Sequence, residues 1–162
     1  AAVKLYIEKQ HGSQGTLYVE KEAWNLHLEI DHIARTWAQA FGRDFPKTTC
    51  RADSSRPETI NFLKRHGLPR ITGVYKWPNS VEDGIEYLRS FEAIVIHPRC
   101  KHFREEARLY SYKVDKMTQE ITRDIVDKHN HLIDSTRYAL APMIRSRKTQ
   151  RTNYAGASYS NA

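Results

Sequence analysis

Three residues carry side chains whose chemistry and placement invite a reaction: Asp53, His131 and Asp134. The last two sit in DKHNHLIDSTRYAL, Asp127 to Leu140. Wound as a helix at about 100° per residue, this stretch puts Leu132, Thr136, Ala139, Leu140 and Met143 on one arc. His131, Asp134 and Tyr138 fall on nearly the opposite one. Asn130 can cap the helix, its side-chain oxygen accepting from first-turn amides. Asp53 lies far upstream, where a strand gives way to a helix, at the strand end where open α/β sheets gather ligands and catalytic groups. Carboxylates on rigid elements are hard oxygen donors suited to magnesium or manganese, and two-metal phosphodiester hydrolysis needs such acids to converge. A bland reading competes at each position: the polar back of an amphipathic helix is commonly just solvated, and an aspartate after a strand can serve the turn.

Other chemistries lack their motifs. No G-x-x-x-x-G-K-[ST] phosphate loop occurs, nor a G-x-S-x-G nucleophile elbow. His97, Cys100 and His102 lie close in sequence, yet no fourth ligand is spaced to complete a structural zinc site.

The elements that must position these residues read off in order. Alternating runs at Ala2 to Lys9 and Thr16 to Trp24, joined across Gly12 to Gly15, predict a hairpin. Ile30, Ile33, Ala34, Trp37 and Phe41 recur at helical spacing and Gly42 stops that helix. A short strand ends at Asp53, and Ser55 with Glu58 forms a capping-box pattern for a helix ending at Gly67. A strand over Leu68 to Tyr75, a helix opened by Ser80 and Asp83 with Val81, Ile85 and Leu88 on one face, and a buried parallel strand at Ala93 to His97 follow. Lys101 to Tyr110 predicts a helix burying Phe103, Ala107 and Tyr110, and Ser111 to Ile125 an exposed hairpin. The order is that of an α/β sheet, antiparallel at first and then parallel, with no internal repeat or linker.

At 162 residues the chain fits one domain, long enough to bury about two-thirds of its unfolded surface. A net charge of +7 and a pI near 9.5 favour a polyanionic partner, nucleic acid first. Two cysteines make no disulfide framework. Nothing resembles a signal peptide or a spanning segment, so the chain reads as soluble and intracellular with no membrane partner. No acid follows Asp134; the basic, small-residue tail from Arg145 to Ala162 predicts disorder.

ADSSRPETI (Ala52 to Ile60), SVEDGIEYLRSF (Ser80 to Phe91), IHPRC (Ile96 to Cys100), EEARLYSYKVD (Glu105 to Asp115) and DKHNHLIDSTRYAL together resemble the C-terminal nuclease domain of the large terminase subunit of tailed bacteriophages. The segments fall in that family's order and span most of the chain to about Met143. The resemblance implies a ribonuclease H-like mixed sheet flanked by helices over residues 1–144, and an endonuclease that cuts concatemeric double-stranded DNA with low sequence specificity, using two Mg²⁺ or Mn²⁺ ions. Asp53 matches the family's second acidic ligand; His131 and Asp134 match its H-x-x-D, Asp134 as metal ligand and His131 as auxiliary ligand or proton-transfer group. Asp127, one turn earlier, is open to the metal shell or to a cap or loop role. In the family a first aspartate stands on the opening central strand, in a D-W-G-like motif just before the stretch resembling Ala1 to Glu8. That strand is expected to be absent here, leaving one ligand short and cleavage by this chain weak.

Flanking expectations are DNA-phosphate contacts at Lys76, Arg99, Lys101 and Arg104, and partner contacts at Arg145, Arg147, Lys148 and Arg151. The implied partners are double-stranded DNA, the portal protein, the small terminase subunit and an ATPase motor domain upstream in the same polypeptide; the implied setting is the host cytoplasm, on the procapsid. Two other readings stay open: another ribonuclease H-like resolvase or transposase core, and a catalytically silent DNA- or portal-binding module.

Overall fold

The alternating start of the chain folds as expected, into β1 (Ala2–Glu8) and β2 (Thr16–Ala23), which pair antiparallel in register from Ala2 with Ala23 to Glu8 with Thr16. The computed structural model describes residues 1–9, 12–114, 117–119, 121–125 and 130–157. Then come α1 (Ile30–Phe41), β3 (Cys50–Asp53), α2 (Pro57–Arg65), β4 (Ile71–Val74), α3 (Ser80–Arg89), β5 (Ala93–Ile96), α4 (Lys101–Leu109), the β6 (Tyr112–Val114) and β7 (Ile121–Ile125) hairpin, and α5 (His131–Ala157). This is the order the hydrophobic periods predicted.

Among the described residues the strands fall into three pieces: β1-β2-β5 with β5 parallel to β2, the parallel pair β3-β4, and β6-β7. Leu17 and Val19 of β2 are fully buried against Tyr87 and Phe91 of α3 and its flank, Phe103 of α4, and Leu132, Ile133, Leu140 and Ile144 of α5. A second core, Leu63, Leu68 and Ile71 with Ile33 and Trp37, joins α1 and α2 to β3-β4. The last helix packs on both β1 and β3, although these two strands do not pair with each other. A gap therefore opens between them.

Several local expectations are corrected. Ser55 makes no helix cap: α2 starts at Pro57, which puts Arg56 at the N-cap position, and the Ser55 N–H (2.8 Å) and hydroxyl (2.6 Å) both donate to Asp53 Oδ1. Asp83 likewise does not cap α3. It accepts from Trp77 Nε1 (2.6 Å) and Lys148 Nζ (2.7 Å), and α3 buries Gly84, Ile85 and Tyr87 while Val81 is exposed. The strand β5 is not buried: it forms the edge of its sheet, with Ile94 and Val95 exposed. On α4 the buried pair is Phe103 and Glu106 and Ala107 faces outward, because the Glu106 carboxylate is recruited inward by α5. On α5 itself the buried stripe runs through Leu132, Ile133, Thr136, Arg137, Leu140, Ala141 and Ile144, while Met143 is exposed.

Of the tail expected to be disordered, residues 145–157 are described as part of α5, which runs to Ala157, and residues 158–162 lie outside the described residues. The cations of α5 have neighbours to hold it. The Arg145 guanidinium lies 5.0 Å from the Tyr75 ring centre, Arg147 bonds Ser90 Oγ and lies 5.8 Å from the Tyr87 ring centre, and Lys148 pairs with Asp83.

Candidate metal and nuclease site

Parallel register fixes one half of the site. Asp53 ends β3 opposite Val74 at the end of β4, so Asp53 and Lys76, two residues beyond Val74, reach the same end of the strand pair. Lys76 Nζ lies 2.7 Å from Asp53 Oδ1 and donates to Ser55 Oγ at 3.1 Å. The other half comes from α5, where Tyr138 donates its hydroxyl to Asp53 Oδ2 at 3.1 Å. Arg51 helps hold the halves together, donating from β3 to the Ala139 carbonyl at 3.4 Å.

Asp53, His131, Asp134 and Tyr138 all line one cavity of about 1170 Å³, which occupies the gap between β1 and β3 and is walled by both strands and α5. Asp53 and this helix face thus line the same cavity, and Tyr138 is the residue of that face that bonds Asp53. Burial pushes the Asp53 carboxyl up, but Lys76, the Ser55 hydroxyl and N–H, and the Tyr138 hydroxyl outweigh it and hold the group well below the usual carboxylate range. Burial pushes the Tyr138 phenol up, and the carboxylates of Asp134 and Asp53 raise it further. Tyr138 is therefore a neutral donor at physiological pH, lying under the influence of both acids.

Asp134 is held differently. Its Oδ1 accepts from Arg137 Nη2 at 2.5 Å, one helical turn away, and the Arg137 side chain is only 7% exposed. Arg137 also reaches the Ser80 carbonyl at 3.4 Å, packed where α3 presents Gly84. A Cβ at position 84 would stand 2.7 Å from Arg137 Cδ. Gly84→Ala should therefore force Arg137 aside and destabilise the domain by about 1–3 kcal/mol, the usual cost of overpacking, measured by urea unfolding. His131 is exposed and set against the Trp24 ring at 5.6 Å between centres; Trp24 in turn stacks on His102 at 5.5 Å.

The remaining expected residues separate into three groups. Asp127 lies outside the described residues. Arg99 is folded over the His97 ring, its Nε 2.9 Å from Nδ1, and Lys101 and Arg104 are exposed on α4. Arg145, Arg147 and Lys148 are engaged as described above, and Arg151 lies in the backbone of the same helix. Among the described residues no three His, Cys, Asp or Glu side chains approach closely enough to hold a metal ion together. The His97, Cys100 and His102 trio does not converge: Cys100 is buried with its thiol toward the Val19 carbonyl, and His102 Nδ1 lies 3.0 Å from Glu22 Oε1. Burial pushes both the Cys50 and Cys100 thiols up to about 11, so neither is a thiolate at neutral pH.

Residues 11–142 match the family model described as the terminase RNAseH like domain. The chain belongs to that family. It is 47% identical over 90 residues to the large terminase subunit of Bacillus phage SPP1, covering 54% of this chain and 21% of that protein. The solved nuclease domain of the SPP1 large terminase, determined with bound Mn, superposes with a TM-score of 0.76 at 32% identity, covering 86% of this chain and 76% of that one. The fold is accordingly that of a terminase nuclease domain, ribonuclease H-like, and the chain spans about a fifth of the length of the curated relative.

Tyr138, which lines the cavity, and Arg137 and Glu106, which brace Asp134 and the start of α5, were left without a role by the sequence alone. An i,i+3 Asp–Arg pair on one helix was a legible signal for Arg137; Tyr138 stood on the named face; Glu106 had no local signal.

The protonation of Asp53 gives a pH test. Its folded carboxyl is depressed, so its contribution to stability is complete above the unfolded aspartate value of about 3.9 and is lost as pH falls below it. The acid limb of a stability–pH curve should accordingly be shallower in Asp53→Asn than in the parent, by urea unfolding between about pH 5 and 2. An identical limb would mean that Asp53 is not held charged by its neighbours.

Proposed function

We propose that this domain is the metal-dependent endonuclease of a genome-packaging terminase, cutting concatemeric double-stranded DNA with low sequence specificity. The reading is supported chiefly by one observation: Asp53 at a strand end and Asp134 on the closing helix open onto a single cavity together with His131. Two carboxylates and an imidazole fit a hard divalent ion, because Mg²⁺ and Mn²⁺ take oxygen ligands and keep open positions for water and phosphate. Bound there, such ions would supply an activated water and charge neutralisation at the leaving oxygen. Asp53 and Asp134 would hold them, Tyr138 would fix the Asp53 carboxylate through Oδ2, and His131 would serve as auxiliary ligand or proton carrier. The exposed cations Lys101 and Arg104, with Arg99, would meet backbone phosphates.

The gap between β1 and β3 belongs to the same proposal. A strand supplied upstream in a longer polypeptide would pair with the edges of β1 and β3 that are unpaired among the described residues, and bring the family's first aspartate beside Asp53. Expected in consequence is weak or absent nicking of supercoiled plasmid by the 162-residue chain in Mg²⁺ or Mn²⁺, and strong nicking once that strand is included. Robust nicking by the shorter chain would defeat the three-acid arrangement. The upstream motor domain, portal and small subunit would be partners of the longer polypeptide, and the cytoplasmic procapsid its setting. For the C-terminal helix, loss of portal or DNA affinity on removal of residues 145–162 is the outcome that would give Arg145, Arg147, Lys148 and Arg151 a partner role.

A further inference from the structure

The two acids facing the cavity are neutralised by cations of unlike standing. Asp134 is paired with Arg137, which is nearly buried and wedged against Gly84, so that pair is part of the fold. Asp53 is paired with Lys76, and both side chains are 43% exposed. An ammonium on a four-carbon stem is a mobile point charge, whereas a guanidinium fixed in a packed slot is not. Oδ1 carries the Lys76 ammonium together with the neutral Ser55 N–H and hydroxyl, and Oδ2 the neutral Tyr138 hydroxyl, so among the described residues Lys76 is the charged donor on this carboxylate. Lys76 also has somewhere to rest nearby: its Nζ lies 5.7 Å from the Tyr138 ring centre and bonds Ser55 Oγ.

We propose that Lys76 is a displaceable counter-cation of Asp53, which competes with a divalent ion for Oδ1 and sets how readily the site is loaded. This inference rests on the metal reading of Asp53 given above. In it Lys76 acts through Asp53 and is a positioning residue: its charge occupies the ligand until a doubly charged ion replaces it. A structural helper would have the opposite effect, since removing a residue that orients a ligand weakens metal binding.

The measurement is Mn²⁺ affinity of the full chain by calorimetry and by water-proton relaxation, with MnCl₂ as the only added ligand. An exposed ion pair of this kind contributes little, so Lys76→Gln should bind Mn²⁺ about two- to five-fold more tightly than the parent. Lys76→Arg, which keeps the charge, should remain at parental affinity or below. Asp53→Asn should bind far more weakly, and the Asp53→Asn, Lys76→Gln double substitution should show no gain over Asp53→Asn alone. Unchanged or weaker binding by Lys76→Gln, with Asp53→Asn still impaired, overturns the role of Lys76 and leaves the metal site standing. Parental affinity in Asp53→Asn overturns both. Circular dichroism and urea unfolding of each variant show whether a change in affinity reflects loss of fold.

Discussion

Asp134→Asn, placed in a polypeptide that includes the upstream strand, is expected to lower Mn²⁺-dependent DNA cleavage about a thousandfold while DNA affinity stays close to parental. The magnitude follows from the several kcal/mol that a metal supplies to charge stabilisation at phosphorus, about 4 kcal/mol corresponding to three decades in rate. Asparagine is the informative choice. Its carbonyl can still accept from Arg137, so the nearly buried guanidinium keeps a partner. Alanine would strip that partner, and breaking a buried pair from one side costs about 3–5 kcal/mol, which would confuse loss of chemistry with loss of fold. Asp53→Asn should give a similar loss of rate. The two together should cost little more than either alone, because groups that hold the same ions act as a unit. Unchanged cleavage in either single variant would remove the proposed site. Lost cleavage with retained DNA binding would exclude the silent binding module.

The site was legible where one element determined it and opaque where two met. The end of β3 and the helix face carrying His131, Asp134 and Tyr138 followed from turn residues and period, and the element order followed with them. That they line one cavity did not, because it depends on α5 lying across both β1 and β3. The same limit explains the misreadings. Ser55 and Asp83 have the spacing of capping residues, but a nearby carboxylate claims the first and Trp77 and Lys148 claim the second. The apolar run at β5 has the composition of a buried strand, yet composition does not say whether a strand is central or at an edge. Helicity past Arg145 was hidden for a related reason, since the rings and acids that meet its cations lie on and around α3. The family resemblance supplied the metal chemistry, which no period or spacing contains.

Glu106→Ala is expected to destabilise the domain by about 3 kcal/mol and to loosen the first turn of α5 more than any other segment. Glu106 is 3% exposed, and its Oε2 accepts the N–H groups of Leu132 at 2.7 Å and Ile133 at 3.2 Å. It thus performs from α4 the service that an N-cap residue normally performs from within the helix. Loss of a cap costs about 0.5–2 kcal/mol, and hydrogen bonds to a charged acceptor contribute about 1.5–3 kcal/mol each; carboxylate and helix N-terminus also attract one another. Glu106→Gln separates acceptor from charge. It keeps an oxygen for the two amides, but its amino group must take the place of Oε1, which has no partner among the described residues, so an intermediate loss is expected. The consequence for the site comes from position: the turn that Glu106 secures carries His131 and Asp134. Amide exchange at residues 131–134 should accelerate in Glu106→Ala well beyond the global change, and cleavage by the longer polypeptide should fall about 10- to 100-fold, as for other residues that support a metal ligand without touching the metal. Stability within 0.5 kcal/mol of the parent, or uniform acceleration of exchange along α5, would show that the helix is anchored by its packing on β1 and β3 and not by this carboxylate.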